Sequence, residues 1–174
     1  MRAKKCKGCG EMFQPVRQLQ SACSIPCAIT IINAKNAKES RKTTREAKER
    51  IKSRADHLRE AQAAFNRFIR LRDHDKPCIS CGRHHQGQYH AGHYRSVGAC
   101  PELRFDELNV HKQCAPCNDH LSGNIVAYRF GLLERIGIDR VEWLEGKHEA
   151  KKYTVDEIKA IKVEYTLKAK EIAL

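Results

Sequence analysis

The chain has 174 residues, 41% of them hydrophobic and 6% aromatic, enough for one domain or two small ones, and its net charge is +12. The charge is uneven: residues 1–76 hold 19 Lys/Arg against 8 Asp/Glu, whereas residues 77–174 hold 14 against 13. One half therefore carries the field expected of a polyanion binder, and nucleic acid is the expected partner. No apolar run approaches the ~18 residues of a membrane span, and the basic start of the chain lacks the apolar stretch of a secretory signal. These features argue against a membrane role and for a cytoplasmic protein, where disulfides are disfavoured and nine cysteines need another explanation.

In chain order, residues 1–27 read as a small cysteine-rich module. Residues 28–75 contain neither Gly nor Pro and predict one long helix or two, a basic arm running to residue 76. Within it Ile51, Ala55, Leu58, Gln62, Phe65 and Ile69 alternate by four and three. Such a seam either pairs two copies of the chain or packs on the domain that follows. Pro77 is expected to end this helical region. Residues 78–123 are rich in Gly, His, Cys and Asn, with short strands around Gln88–Tyr94 and Asn109–Gln113. A helix over Ile125–Ile136 is followed by Gly137 as its C-terminal cap, and a last helix begins at Thr154, whose capping box is completed by Glu157. Residues 77–174 form the expected third region.

Two cysteine quartets stand out. Cys6-x2-Cys9 is followed by Cys23-x3-Cys27, and Cys78-x2-Cys81 by Cys114-x2-Cys117. Two sulfurs two or three residues apart can turn back onto one ion, and two such knuckles complete the four-thiolate shell of structural zinc. A lone pair of this kind is as often redox-active or accidental; two complete quartets are not, and only Cys100 is left as an ordinary thiol. The 32 residues between Cys81 and Cys114 make a long loop for a purely structural knot, so something else is expected inside it.

That loop and its exit carry His90, His93, Asn109 and Asn118. Cleaving a phosphodiester needs a base to activate water and a cation to neutralise the phosphoryl oxygens. Imidazole suits the base, since it titrates near working pH, and amide and imidazole groups can orient it or hold a cation. Any one of these histidines alone is more often a surface or hydrogen-bonded residue, as His84 and His85 are read here.

The order CxxC, AGHY, a strand with NVH, then CxxCN resembles the HNH endonucleases, whose site is a ββα-metal hairpin and helix. Together with the N-terminal quartet, the basic stretch, CISCG, AGHYRS, PELRFDELNVHKQC and CNDHLSGN, it is similar to the phage lambda NinG (Rap) recombination endonucleases over most of the chain. The resemblance implies an α+β, mostly helical fold: a zinc-stapled ββα-metal core with an N-terminal zinc module and a long basic helix. It implies His93 as general base, Asn109 as the group orienting it, and Asn118 as a ligand of a Mg²⁺ or Mn²⁺ ion. The family pattern places another ligand next to or shortly before the base. Here Gly92 precedes His93, so His90 is the candidate, brought round by a bulge at Gly92; His111 and His120 are further possibilities. Arg41, Lys42, Arg45, Lys48, Arg50, Lys52 and Arg54 in the arm, with Arg95, are the expected phosphate contacts. The resemblance further implies branched recombination intermediates such as Holliday junctions and D-loops as substrate, and a homodimer to make two cuts. The rivals are a non-catalytic zinc protein that binds nucleic acid, and a sequence-specific HNH homing or restriction endonuclease.

Overall fold

The computed structural model describes residues 1–173. It is a mixed α and β structure in which helices take up about half of the chain, less than a mostly helical fold. Contacts divide it into two units, Met1–Lys52 and Ser53 onward.

The first unit opens with two short antiparallel strands, β1 (Lys4–Lys5) and β2 (Met12–Phe13). Helix α1 (Ile25–Arg50) follows, with Ser24 as N-cap accepting from the Cys27 amide and a proline in the first turn. At 1.5 Å per residue, α1 is ~39 Å long, and none of its side chains is buried. Its Ala, Lys, Arg and Glu content, rather than packing, makes it a helix.

The helical region expected over 28–76 breaks at Ile51–Ser53. Ile51 caps α1, and Ser53 caps α2 (Arg54–Arg72) in a reciprocal capping box with Asp56. The break therefore falls at residue 52 instead of 76, and α2 belongs to the second unit. Ile51 is exposed, while Phe65 and Ile69 are fully buried within that unit. The seam is accordingly spent on its own domain and is not available to pair two copies. Helix α2 also stops at Arg72, short of Pro77, because Asp73 turns inward.

The second unit continues with β3 (Tyr89–His93), a 3-10 turn (Pro101–Leu103), β4 (Val110–Cys114) and a π-helical turn (Pro116–His120). Helices α3 (Ile125–Ile136), α4 (Ile138–Glu145) and α5 (Val155–Ile172) complete it. Both expected strands lie within one residue of their predicted ends, and α3 and the Thr154 capping box of α5 fall where predicted; α4 was not anticipated. One apolar core joins α2 to α5 through Phe65, Phe68, Ile69, Phe105, Ile158 and Tyr165. Phe65 meets Tyr165 and Phe105 edge-on, with centroids 4.7 and 5.6 Å apart. Each such side chain contributes roughly 1.5–3 kcal/mol by burial. A second core of Ile79, Tyr94, Leu103, Tyr128, Leu132 and Val141 holds α3 and α4.

The β3–β4 hairpin is joined to both helical layers by polar groups. Asp73 is fully buried, takes a bidentate pair of bonds from Arg72 (2.9 and 2.8 Å), and accepts from the Lys112 amide at 3.1 Å. Arg72 also donates to the carbonyls of Glu107 and Val110. From the other side the Tyr128 hydroxyl donates to the Gly92 carbonyl at 2.7 Å and accepts from the His111 amide at 3.0 Å. No helix among the described residues is long and apolar enough to cross a membrane.

Candidate active site and thiolate clusters

Both quartets are assembled. In each, the four sulfurs lie within 4.8 Å of one another. A tetrahedral ion with bonds of ~2.3 Å to sulfur separates its ligands by about 3.8 Å; the observed spacings are 3.6 Å for Cys9–Cys23 and Cys23–Cys27 and 3.9 Å for Cys81–Cys114. A disulfide would need ~2.05 Å, and all nine cysteines are free. The donor set therefore fits zinc at both places. Backbone amides complete the cradles: Cys6 Sγ accepts from Gly8 and Cys23, and Cys78 Sγ from Cys114, each at 3.3 Å. Gly8 is required there, since a β-carbon would stand 2.7 Å from that of Cys27. Cys27 sits in the first turn of α1, so the first cluster anchors that helix.

The second cluster closes the base of the hairpin, with Cys114 ending β4 and Cys117 in the π-turn. His85 Nε2 lies 3.3 Å from Cys81 Sγ, and Asn124 Nδ2 donates toward Cys117 Sγ at 3.6 Å. Ser122, Gly123 and Asn124 then run consecutively at positive φ (48°, 88° and 44°). Such backbone costs of order 1–3 kcal/mol at a residue other than glycine and persists only where the surroundings enforce it. Here Gln113 Nε2 donates to the Gly123 carbonyl at 2.6 Å.

The strained loop forms one wall of a groove. Its other walls are Ala91 and His93 from β3, Gln62 and Asn66 from α2, Arg104 and Asn118. Thus the structure brings His93 and Asn118 into one groove. His93 Nε2 lies 3.0 Å from the Arg104 carbonyl. A carbonyl only accepts, so Nε2 carries the proton and Nδ1 is the basic nitrogen. Burial pushes the imidazole pKa below its ordinary value; the Arg104 carbonyl opposes that, and the Arg104 charge adds to it.

Asn109 does not touch the imidazole. Fully buried, it accepts from the Arg95 amide (2.7 Å) and donates to the carbonyls of Arg95 (3.0 Å) and Leu103 (3.1 Å). It is itself placed by Asp106, whose carboxylate accepts from the Leu108 and Asn109 amides. Asn109 thus staples the two ends of the loop whose next residue, Arg104, holds His93. The only link from Asn109 to His93 in its hydrogen bonds therefore runs through backbone.

His90 is not in the groove. The β3–β4 register is unbroken from Tyr89 to His93, so there is no bulge at Gly92, and His90 faces opposite to Ala91 and His93. Gly92 serves another purpose: a β-carbon there would meet Gln113 Oε1 at 2.1 Å. His90 Nε2 instead lies 3.3 Å from Asp119 Oδ2, while Asp119 Oδ1 accepts from Asn118 Nδ2. Sequence reasoning missed Asp119. A carboxylate only accepts, so Asp119 fixes which way the Asn118 amide points and leaves its oxygen free. His111 is also elsewhere: buried, it accepts from Arg72 at Nδ1 (3.1 Å) and donates from Nε2 to the Leu108 carbonyl (3.1 Å). His120 is exposed in the π-turn and does not line the groove.

Of the expected phosphate contacts, Arg41, Lys42, Arg45, Lys48 and Arg50 are exposed along α1. Lys42 has Glu46 at 3.9 Å and Lys52 pairs with Glu49 at 2.5 Å. Arg54 belongs to the second unit, where its Nε donates to the Tyr153 carbonyl at 3.0 Å. Arg95 Nε donates to Cys100 Sγ at 3.4 Å. The residues the sequence did not mark are Gln62, Asn66 and Arg104. Gln62 had one signal, a polar residue within an apolar seam.

A family model described as "Bacteriophage Lambda NinG protein" matches residues 1–173. The chain is 42% identical over 189 aligned residues to "Protein ninG" of Salmonella phage P22, covering 97% of this chain and 93% of that one. It is 40% identical, with the same coverage, to "Protein ninG" of Escherichia phage lambda and of Escherichia phage 933W. No solved structure matches. With a family model spanning nearly every residue and relatives at this identity, the chain belongs to the NinG family of lambdoid phage proteins.

Proposed function

We propose that the protein is a metal-dependent DNA endonuclease of the HNH type that cuts branched recombination intermediates. The observation that carries this reading is the groove lined by both His93, its Nε2 proton committed to the Arg104 carbonyl, and Asn118. An imidazole whose pKa is lowered is neutral at working pH and can take a proton from water at Nδ1. Asn109 and Asp106 hold the loop that keeps the ring in place, which lowers the cost of positioning it at the moment of reaction. The Asn118 oxygen is a hard donor suited to Mg²⁺ or Mn²⁺, with water and phosphate filling the remaining positions. Such an ion, when bound, would neutralise charge building on the phosphoryl oxygens. The thiolate clusters are structural, and the basic face of α1 supplies contacts to phosphate regardless of sequence.

Two strands must be cut to resolve a junction. With α2 spent inside its own unit, any pairing of copies uses another surface. One observation favours the non-catalytic rival, a zinc protein that only binds nucleic acid: no carboxylate lines the groove. A panel of linear, flapped, D-loop and four-way DNA substrates, with Mg²⁺ or Mn²⁺ against EDTA, separates the readings. Cleavage confined to branched species and lost in EDTA is expected. Discrete bands on linear phage DNA would indicate the sequence-specific rival, and binding without cleavage the non-catalytic one.

A further inference from the structure

Arg104 faces two places at once. It lines the groove that holds His93, and it also lines a separate cleft with Arg54, Leu58, Lys151, Lys152 and Tyr153. Its Nε is committed to Gln62 Oε1 at 2.7 Å, which fixes the plane of the guanidinium and leaves both terminal nitrogens. The side chain is only partly exposed, and no carboxylate pairs with it. Burial and the nearby Arg54 charge both push its pKa down, the sign of a cation that lacks a counter-charge. Arg54 is likewise anchored through Nε alone, to the Tyr153 carbonyl. Of the carboxylates around Tyr153, Glu157 is occupied by the Thr154 capping box and lies 3.6 Å from Lys151, Asp106 accepts from the Leu108 and Asn109 amides, and Glu102 does not line the cleft. Among the described residues Lys152 has no ion pair, and none of the residues lining the cleft is acidic.

Four cations around one depression without a lining acid call for a polyanion, and a planar guanidinium held by Nε presents the fork that grips phosphate oxygens. From this we infer that the Arg54–Arg104–Lys151–Lys152 cleft binds a phosphate of the substrate DNA strand flanking the one at His93, with Arg104 bridging the two. The inference rests on the endonuclease reading for the word substrate. It adds a second phosphate site, inside the unit that bears the groove and separate from the basic helix α1.

The test is DNA binding by the full chain in a His93→Ala background, so that no cleavage intervenes, titrated over salt. Lys151→Gln with Lys152→Gln is compared with Lys147→Gln with Lys170→Gln, a pair of equal charge change away from the cleft. Each phosphate contact contributes about 0.9 to the slope of log affinity against log salt on duplex DNA. The cleft pair is expected to lower that slope by about 1–2 and the control pair by much less. Arg104→Gln, checked by thermal melting to be folded, is expected to weaken binding and also to slow cleavage at saturating DNA when His93 is restored. Equal losses from the two lysine pairs, or none from the cleft pair, overturn the inference. A wild-type protein that binds DNA but cuts none overturns the endonuclease reading instead, and the slopes still decide the cleft.

Discussion

The unit ending at Lys52 and the unit beginning at Ser53 are held together by opposite means. The first contains 13 Lys/Arg against 4 Asp/Glu, and its long helix buries no side chain. Its order rests on one thiolate cluster and on helix propensity. The second contains 20 against 17, two apolar cores, and a buried carboxylate at the junction of α2 with β4. Surface that is not spent on a core stays available to a partner, and a helix without packing can carry a density of like charge that a packed one could not. On the endonuclease reading proposed above, the first unit attracts the polyanion at long range and the second places the reacting groups.

The sharpest test of that division is truncation. Starting the chain at Ser53 should leave a folded second unit with a much shallower salt dependence of DNA binding. Starting it at Pro77 removes Phe65, Phe68 and Ile69 from the core and should abolish folding altogether, read by circular dichroism and melting. Equal stability of the two truncated proteins would break the boundary drawn here.

Next in size is His93→Ala. Loss of a general base costs ~10²–10⁴-fold, with DNA affinity and melting temperature nearly unchanged. Because burial lowers the pKa of His93, the neutral, base-competent form persists to more acid pH than for a free imidazole. The wild-type rate should therefore rise with pH through a midpoint below the ordinary value of ~6.5. A midpoint above that value would remove His93 from the role.

A third test lies in the buried carboxylate. Breaking a buried ion pair by removing one partner typically costs about 3–5 kcal/mol, and Asp73→Asn should lose that much in denaturant unfolding at neutral pH. Burial opposes its ionisation, yet the hydrogen bonds and charge of Arg72 and the bond from the Lys112 amide outweigh it and hold the folded-state pKa below the usual carboxylate range. A depressed folded pKa means that the stabilisation is full above the unfolded value of ~3.9 and is lost as pH falls below it. The gap between wild type and variant should accordingly close in acid.

The smallest effect is expected from Cys9→Ser. It should halve the zinc content and loosen residues 1–27, seen as faster hydrogen exchange, while the second unit melts as before. A fall in the second unit's melting temperature would show that the two are not independently stabilised.

Much of the second unit was legible because its signals are local. Short β-like runs mark the two strands, Thr154 and Glu157 mark the start of α5, and paired cysteines declare a shared ion. The Ser53–Asp56 capping box is equally local, but the apolar periodicity continuing from Ile51 runs across it and hides the boundary at residue 52. His93 and Asn118, marked in sequence by the resemblance that AGHY and CxxCN carry, line one groove.

What the amino-acid order determined by itself was which side chains could bind metal, where helices begin, and how unequally charge is divided. Only the tertiary structure decided that α2 turns its seam inward, that His90 reaches Asp119 in place of the groove, and that Arg104 supplies a carbonyl to the base and a cation to two cavities. The physical reason is that strand alternation and helix caps act between near neighbours, whereas a groove is made by residues as far apart as Gln62 and Ile125. Which of these meet depends on how the hairpin packs between α2 and α3, and sequence periodicity marks which face is buried but not which partner it meets.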